Sequence, residues 1–247
     1  MRLSGKAGII TGASSGIGEA AARLFVEKGG NVVLCARRED RLTALAEELG
    51  PQAVVLAGDV TDEAMHQALV THCVSAFGRL DFAFNNAGTV GPGVPLPDTS
   101  TDDWNAVIAT NLTSAYFAAK YQMPHMLEAG RGSIVFTSSF VGHTMGLPGM
   151  GAYAASKAGV IGLTQVLATE GGASGVRVNA LLPGGTLTEM AGDDPQFHEF
   201  ARQLHALKRL ASADEIARAA LFLCSDEASF VTGTAMLADG GNSICKT

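Results

Sequence analysis

The chain has 247 residues, of which 47% are hydrophobic and 17% are charged, and its formal net charge at pH 7 is -7. This length and apolar content suit a sheet buried on both faces and exclude a disordered or fibrous chain. The negative charge, together with the lack of any basic run, argues against binding to a nucleic-acid backbone.

Apolar β-branched runs alternate along the chain with longer stretches of helical periodicity. The predicted strands span residues 7–10, 31–36, 53–57, 80–84, 133–137, 176–182 and 234–238. The predicted helices span residues 17–28, 41–49, 62–77, 101–128, 153–170 and 213–223. Regular alternation of this kind predicts an α/β chain in a single domain over residues 1–247, a doubly wound parallel sheet of the Rossmann type with helices on both faces.

The least regular segment spans residues 183–208 and includes a short predicted helix over 195–208. A long insertion in a compact domain is often a lid over a site, and the alternative is a passive surface loop.

Targeting, membrane and metal signals are missing from the sequence. No run approaches the roughly 18 apolar residues that span a bilayer, and the first residues lack the long apolar region of a signal peptide. The six histidines form no H-E-x-x-H motif, and the four cysteines are scattered: Cys35, Cys73, Cys224 and Cys245. We therefore expect a cytoplasmic protein with no metal site and no membrane association.

A glycine-rich turn follows the first predicted strand and opens the first helix. Gly12, Gly16 and Gly18 stand in the spacing G-x-x-x-G-x-G. Such a turn lets backbone approach a phosphate closely, and the helix N-terminus offers unpaired N–H groups to an anion. The alternative is merely a tight connection.

Tyr153 and Lys157 lie four residues apart in a predicted helix, so both side chains share one helical face. A lysine beside a tyrosine favours the phenolate, so we expect the pKa of Tyr153 to move down from about 10 toward neutrality. Such a pair is suited to general acid–base chemistry, although by itself it is a weak signal.

The glycine turn and the Tyr-x-x-x-Lys segment together resemble those of the short-chain dehydrogenase/reductase family. The resemblance covers essentially the whole sequence. The further matching stretches are Asp59-Val60, Asn85-Asn86-Ala87-Gly88, Asn111, Ser138-Ser139, Asn179, Pro183-Gly184 and Asp239-Gly240-Gly241.

The resemblance implies a nicotinamide coenzyme, with Gly12, Gly16 and Gly18 accommodating its pyrophosphate. The other implied contacts are Ser14, Ser15 and Ile17 in the same turn, Asp59 and Val60 at the adenine, Asn86, Ala87 and Gly88 on the adenosine side, Tyr153 and Lys157 on α-helical positions, and Pro183, Gly184, Thr186 and Thr188 near the nicotinamide. Thr186 stands where the family usually has Ile or Val.

The end of the second strand favours NADP(H) over NAD(H). An acidic residue at this place binds a ribose 2′-OH, whereas an arginine suits a 2′-phosphate. The chain has Ala36 followed by Arg37, so a guanidinium can grip the phosphate and no carboxylate repels it. Against this, Ser15 replaces the basic residue of many NADP-users, and Arg37 can also be a plain surface arginine. Arg38 is expected to face solvent.

The resemblance also implies the catalytic residues. Tyr153 is the acid–base residue, Lys157 supports it and binds the ribose hydroxyls, and Asn111 bends a helix and binds a relay water through its carbonyl. Ser139 orients the substrate oxygen, with Ser138 as the competing candidate because successive strand residues point to opposite faces.

A mostly apolar ketone or alcohol is the expected substrate. The candidate pocket residues are Val90, Val94, Met145, Leu147, Met150, Leu187, Met190 and Phe197, with His143 within possible reach. The apolar helical residues expected to form subunit contacts in a homotetramer are Ala115, Tyr116, Phe117, Ile161, Leu163 and Leu167. The leading hypothesis is an NADPH-dependent reductase or dehydrogenase. The alternative is a dinucleotide-binding sensor without turnover.

Overall fold

Residues 2–245, the part that the computed structural model describes, form nine strands and eight α-helices. The strands are β1 (Ala7–Thr11), β2 (Asn31–Cys35), β3 (Ala53–Val55), β4 (Phe82–Asn85), β5 (Gly132–Thr137), β6 (Val176–Pro183), β7 (Thr186–Leu187), β8 (Ala211–Ser212) and β9 (Ala235–Ala238). The helices are α1 (Gly16–Glu27), α2 (Glu39–Leu49), α3 (Glu63–Phe77), α4 (Thr101–Ile108), α5 (Ser114–Ala129), α6 (Gly151–Gly172), α7 (Pro195–Leu204) and α8 (Ala213–Cys224).

Seven of these strands form one parallel sheet in the order β3-β2-β1-β4-β5-β6-β9. The chain winds outward in one direction from β1 to β3 and then in the other from β4 to β9. This is the doubly wound Rossmann arrangement that the sequence predicts. A ligand crevice forms outside the carboxyl ends of the strands where that order reverses, between β1 and β4.

The register of the parallel strands places the carboxyl ends of β1, β2, β4 and β5 next to one another at one edge of the sheet. Thr11 at the end of β1 is opposite both Cys35 of β2 and Asn85 of β4. Asn85 is in turn opposite Phe136 of β5. The residues that follow these positions therefore emerge together at one edge of the sheet.

Both faces of the sheet are buried, because successive strand residues enter different cores. Ile10 packs on the face covered by α1, α2 and α8, whereas Ile9 packs on the face covered by α3, α5 and α6. On the first face the Phe25 and Phe82 rings meet edge to face, with centroids 5.5 Å apart. This two-sided burial explains the continuous apolar runs of the strands.

The structure differs from two of the predicted helices. The helix predicted over 101–128 is two helices, α4 and α5, joined by a π-helical segment, Ala109–Thr113. Such single-turn insertions often occur at functional sites. The helix predicted over 195–208 ends at Leu204. Ahead of it, β7 pairs with β8, which ties the start of the irregular segment to the start of α8.

No helix within residues 2–245 has the length and apolar character needed to cross a membrane. Over the same residues, no three His, Cys, Asp or Glu side chains gather in a group that could hold a metal ion.

Candidate active site

Tyr153 and Lys157 project from the first turns of α6 toward the carboxyl end of β5. The Lys157 ammonium nitrogen lies 5.6 Å from the centre of the Tyr153 ring. That ammonium also donates a hydrogen bond of 2.7 Å to the carbonyl oxygen of Thr137, the last residue of β5. The lysine is thus fixed between helix and sheet, with its charge one helical turn from the phenol.

The two serines after β5 have different environments. The Ser138 hydroxyl donates to the Lys157 carbonyl oxygen at 2.7 Å, so it ties β5 to the α6 backbone. The Ser139 hydroxyl forms a hydrogen bond with Tyr153 and accepts one of 3.1 Å from the Val141 N–H. Of the two candidates, the structure brings Ser139 next to the phenol.

Burial dominates the ionisation of this cluster. Desolvation raises the pKa of Tyr153 above its ordinary value, with the Ser139 hydrogen bond opposing the rise. Desolvation also lowers the pKa of Lys157 to about 8. The expectation that the lysine makes the phenol unusually acidic is therefore wrong for the protein without coenzyme, because desolvation of the buried phenol is the largest influence on its pKa. At neutral pH the phenol keeps its proton and the lysine remains mostly charged.

Asn111 lies at the centre of the π-helical segment, buried, and its side chain connects two parts of the site. Its amide nitrogen donates to the Thr89 carbonyl oxygen at 2.9 Å and to the Ser156 hydroxyl at 3.0 Å. Its side-chain oxygen accepts from the Thr89 N–H at 2.9 Å. Asn111 therefore joins the loop after β4 to the helix that carries Tyr153 and Lys157.

A small polar cavity adjoins Asn111 behind the site. Its volume is about 10 Å³, and Thr11, His66 and Thr137 also line it. Nδ1 of the buried His66 has no hydrogen-bond partner among the described residues. A cavity of this size with polar walls can hold one water molecule.

The glycine turn packs so closely that side chains are excluded at two positions. A Cβ on Gly18 would lie 2.1 Å from the Gly12 carbonyl oxygen. Gly12 has φ +68°, and a Cβ there would lie 3.0 Å from the Ala87 Cα. The Ser15 side chain does not cap α1, so the first N–H groups of this helix are left for another acceptor. These features fit the pyrophosphate of a nicotinamide coenzyme.

Thr11 and Thr137 are site residues that sequence reasoning missed. The Thr11 hydroxyl oxygen accepts hydrogen bonds from the N–H groups of Asn86 and Ala87, at 3.0 and 3.1 Å. The Thr137 hydroxyl donates to the Asn86 side-chain oxygen at 3.1 Å. Gly88 follows in the same loop, where a Cβ would lie 3.3 Å from the Lys157 ammonium nitrogen. The sequence feature that could have identified both residues is a threonine at the last position of β1 and of β5.

The residues predicted near the nicotinamide follow β6. Pro183 is its last residue, and Gly184 packs against the backbone of Asp239. Thr186 is buried and donates its hydroxyl proton to the Gly184 carbonyl oxygen at 2.9 Å. Thr188 lies over the glycine turn, since a Cβ on Gly16 would be 3.0 Å from its methyl group.

His205 is a third residue that sequence reasoning missed. It is buried at the end of α7, and its Nε2 accepts a hydrogen bond of 3.0 Å from the Gly185 N–H. Its Nδ1 therefore carries the proton and donates to the Ala201 carbonyl oxygen at 2.7 Å. The histidine anchors α7 to the turn after β6.

The two arginines after β2 differ from expectation. Arg37 is exposed and makes no side-chain hydrogen bond within residues 2–245. The pKa of Asp59 is lowered mainly by hydrogen bonds from Thr61 and, to a smaller extent, by the positive charge of Arg37. Arg38, expected to face solvent, instead donates to the hydroxyls of Ser14 and Ser15 at 3.0 and 2.7 Å. The prediction for Arg38 was wrong because a guanidinium reaches across the crevice to the glycine turn.

The remaining predicted site residues occupy the loops around this crevice. Asp59 forms a turn with Thr61 just after β3, and Val60 is buried beneath it. Ile17 is the second residue of α1. The partly buried pocket candidates are Val90, Val94, Met145, Leu147 and Met150. The exposed ones are Leu187, Met190, Phe197 and His143.

The cysteines lie outside this cluster. Burial raises the pKa of the Cys35, Cys73 and Cys224 thiols to about 12, so they stay protonated and inert at neutral pH.

Known proteins share this arrangement over nearly their full length. The family model described as enoyl-(acyl carrier protein) reductase matches residues 12–243. The chain belongs to the short-chain dehydrogenase/reductase family. As a member, it is an enzyme of the dehydrogenase and reductase class that uses a nicotinamide coenzyme.

Relatives within the short-chain dehydrogenase/reductase family include plant and bacterial proteins. Tropinone reductase-like 2 of Erythroxylum coca is 42% identical over 254 residues, covering 98% of this chain and 92% of its own. The 2,5-dichloro-2,5-cyclohexadiene-1,4-diol dehydrogenase of Sphingobium indicum is 39% identical over 244 residues, or 97% of each chain. (+)-Borneol dehydrogenase 1 of Salvia officinalis is 39% identical over 249 residues, covering 98% of this chain and 95% of its own. The crystal structure of levodione reductase superposes with a TM-score of 0.92 at 35% identity, covering 98% of this chain and 99% of that one.

Proposed function

We propose that this protein is an NADPH-dependent oxidoreductase that interconverts a cyclic ketone and its secondary alcohol, with Tyr153 as the general acid and base. The observation that carries the proposal is the cluster of Ser139, Tyr153 and Lys157 at the carboxyl end of β5. At that place a phenol can donate a proton to a substrate carbonyl oxygen, a hydroxyl can hydrogen-bond that oxygen, and a buried ammonium can stabilise the phenolate that forms.

The bound coenzyme supplies the hydride to carbon in the reductive direction. Tyr153 enters protonated, because burial raises its pKa, and donates its hydroxyl proton to the substrate oxygen. Ser139 accepts from the Val141 N–H, so its own hydroxyl proton is directed to another oxygen and orients the substrate. Lys157 then lies close enough to stabilise the phenolate that remains.

The phenolate must recover a proton before the next turnover. Lys157 is the cation beside the phenol, and the family resemblance also gives it the ribose hydroxyls as partners. Asn111 and Thr137 line the cavity of about 10 Å³, and the Thr137 carbonyl oxygen accepts from Lys157, so this cavity offers a place for one relay water. In the oxidative direction the same groups move the proton the opposite way.

The loop residues and the substrates for which relatives are named both indicate the class of substrate. The loops beyond the strand ends carry mostly aliphatic and methionine side chains, which suit an apolar molecule. The relatives named for a cyclohexadienediol, tropinone and borneol are named for cyclic alcohols or ketones. A cyclic secondary alcohol or ketone of modest size is therefore the substrate class we favour.

The proposed NADPH preference rests on Arg37. Replacing it by aspartate, Arg37→Asp, puts a carboxylate where a 2′-phosphate would bind, so the KM for NADPH should rise by about 10- to 100-fold and that for NADH should fall or stay unchanged. Steady-state kinetics with each coenzyme measures this ratio. The control is Arg218→Asp, which makes the same charge change on an exposed arginine of α8. Equal use of both coenzymes by the unaltered protein would refute the role given to Arg37.

The enzyme proposal is tested with purified protein, NADPH or NADH, and a panel of cyclic ketones and alcohols. We expect a loss of NADPH absorbance with one alcohol formed for each NADPH consumed. Tight coenzyme binding without turnover over the whole panel would instead support a dinucleotide-binding sensor. No residue pattern specific to epimerisation or dehydration supports those reactions.

We further propose a cytoplasmic homotetramer in which residues 183–208 act as the lid. Tyr116 on α5 and Val166 on α6 are about half exposed, which supports a subunit contact on these helices. Ala115, Ile161 and Leu167 are instead buried within the subunit itself, so they are not available for that contact.

A further inference from the structure

A carboxylate of the lid lies between two arginines from the start of α2. Glu189 begins the short turn Glu189–Ala191 that follows β7. One of its oxygens accepts from Arg38 at 2.8 Å, and the other accepts from Arg41. The two guanidinium groups lower the pKa of Glu189 to about 2, so the carboxylate is charged at neutral pH.

The same Arg38 also holds the glycine turn. Its guanidinium contacts both hydroxyls of Ser14 and Ser15 as well as Glu189. Thr188, the neighbour of Glu189, lies against Gly16 in that turn. The start of the lid, the start of α2 and the glycine turn therefore meet at one set of ionic contacts.

This meeting point is where a coenzyme 2′-phosphate would lie if a dinucleotide binds across the glycine turn. The 2′ position of the adenosine ribose faces the residues just after β2. A phosphate and a carboxylate seek the same guanidinium hydrogen-bond donors, and two anions held side by side repel each other.

We propose that Glu189 is a coenzyme-selectivity residue: its carboxylate competes with the 2′-phosphate for Arg38 and Arg41. The inference rests on the proposed function only in that the coenzyme binds above the glycine turn. NADH has no 2′-phosphate and leaves the Glu189 contacts intact. The 2′-phosphate of NADPH must share Arg38 and Arg41 with Glu189 or displace its carboxylate from them. Glu189 therefore reduces the preference for NADPH over NADH that Arg37 provides.

The test measures dissociation constants directly, by fluorescence titration of NADPH and NADH and by calorimetry of 2′,5′-ADP and 5′-AMP. Glu189→Gln should tighten the two 2′-phosphorylated ligands by about threefold to fivefold and change the other two by less than about twofold. The matched control is Glu199→Gln, which removes one charge from the same lid. Glu199 pairs with Arg202 and Gln203 on α7, away from Arg38 and Arg41, so this control should change none of the four constants.

Two results would overturn the proposal. If Glu189→Gln leaves the affinity for 2′,5′-ADP unchanged or weaker, the carboxylate does not compete with phosphate. If all four ligands shift together, Glu189 only holds the lid. The proposed NADPH preference is assessed separately, from the ratio of the two coenzyme constants in the unaltered protein. A preference for NADH there would contradict that part of the proposed function while leaving the Glu189 comparison valid.

Discussion

Tyr153→Phe should lower the turnover of cyclic ketones by about 1,000-fold or more, since positioned proton transfer contributes roughly 100- to 10,000-fold. The substitution removes one oxygen, and with it both the proton donor and the hydrogen bond to Ser139. The ring stays, so the packing around it and the position of the lysine should change little. Coenzyme affinity should fall by no more than about fivefold, the effect of one lost hydrogen bond of about 1 kcal/mol. Stopped-flow reduction under single-turnover conditions separates these two quantities.

The matched control is Tyr116→Phe, which removes a phenolic oxygen from the exposed face of α5. Its turnover should equal that of the unaltered protein. If Tyr153→Phe keeps more than about one tenth of the activity, another group donates the proton and the role given to Tyr153 is wrong.

Gly18→Ala should abolish high-affinity coenzyme binding. The added methyl group would lie 2.1 Å from the Gly12 carbonyl oxygen, which is backbone and cannot move aside alone. Relief of this clash requires the glycine turn to shift from α1, and a misplacement of about 1 Å can cost 100-fold in a positioned interaction. We expect coenzyme affinity to fall by about 100-fold and the free energy of unfolding to fall by about 1–3 kcal/mol. Fluorescence titration and denaturant unfolding measure the two effects.

Gly172→Ala provides the comparison, because an added Cβ at the end of α6 would meet no atom within 4 Å. The stability of that variant should stay the same or rise by up to about 1 kcal/mol, since alanine favours a helix more than glycine does. Unchanged coenzyme binding in Gly18→Ala would show that the turn does not cradle the pyrophosphate.

The fold was predictable because its signals are local and repeated. Each strand is a short apolar run and each crossover is a helical stretch, so the alternation alone specifies a parallel sheet with right-handed connections. The meeting of Tyr153 with Lys157 was equally predictable, since helical spacing places them on one face. The resemblance implied a bend at Asn111, but the sequence did not indicate its π-helical form, in which Asn111 bonds to Thr89 and Ser156 from distant parts of the chain.

Electrostatics at the site was harder to predict than geometry. The sequence places a cation beside the phenol, but burial decides the direction of the Tyr153 pKa, and burial depends on the folded chain. The contacts of the Arg38 side chain were not predicted for a similar reason. Its partner Glu189 is 151 residues away along the chain, so no local pattern connects them.

In the protein without coenzyme, Tyr153 rests as a protonated phenol, ready to donate. The chain has three tyrosines, so the near-ultraviolet difference between the unaltered protein and Tyr153→Phe isolates one phenol in a pH titration without coenzyme. We predict no phenolate signal from Tyr153 up to about pH 9, because burial raises its pKa above the ordinary value of 10.0. A Tyr153 ionisation centred near or below about pH 8 would show that Tyr153 does not rest as a phenol stabilised by burial.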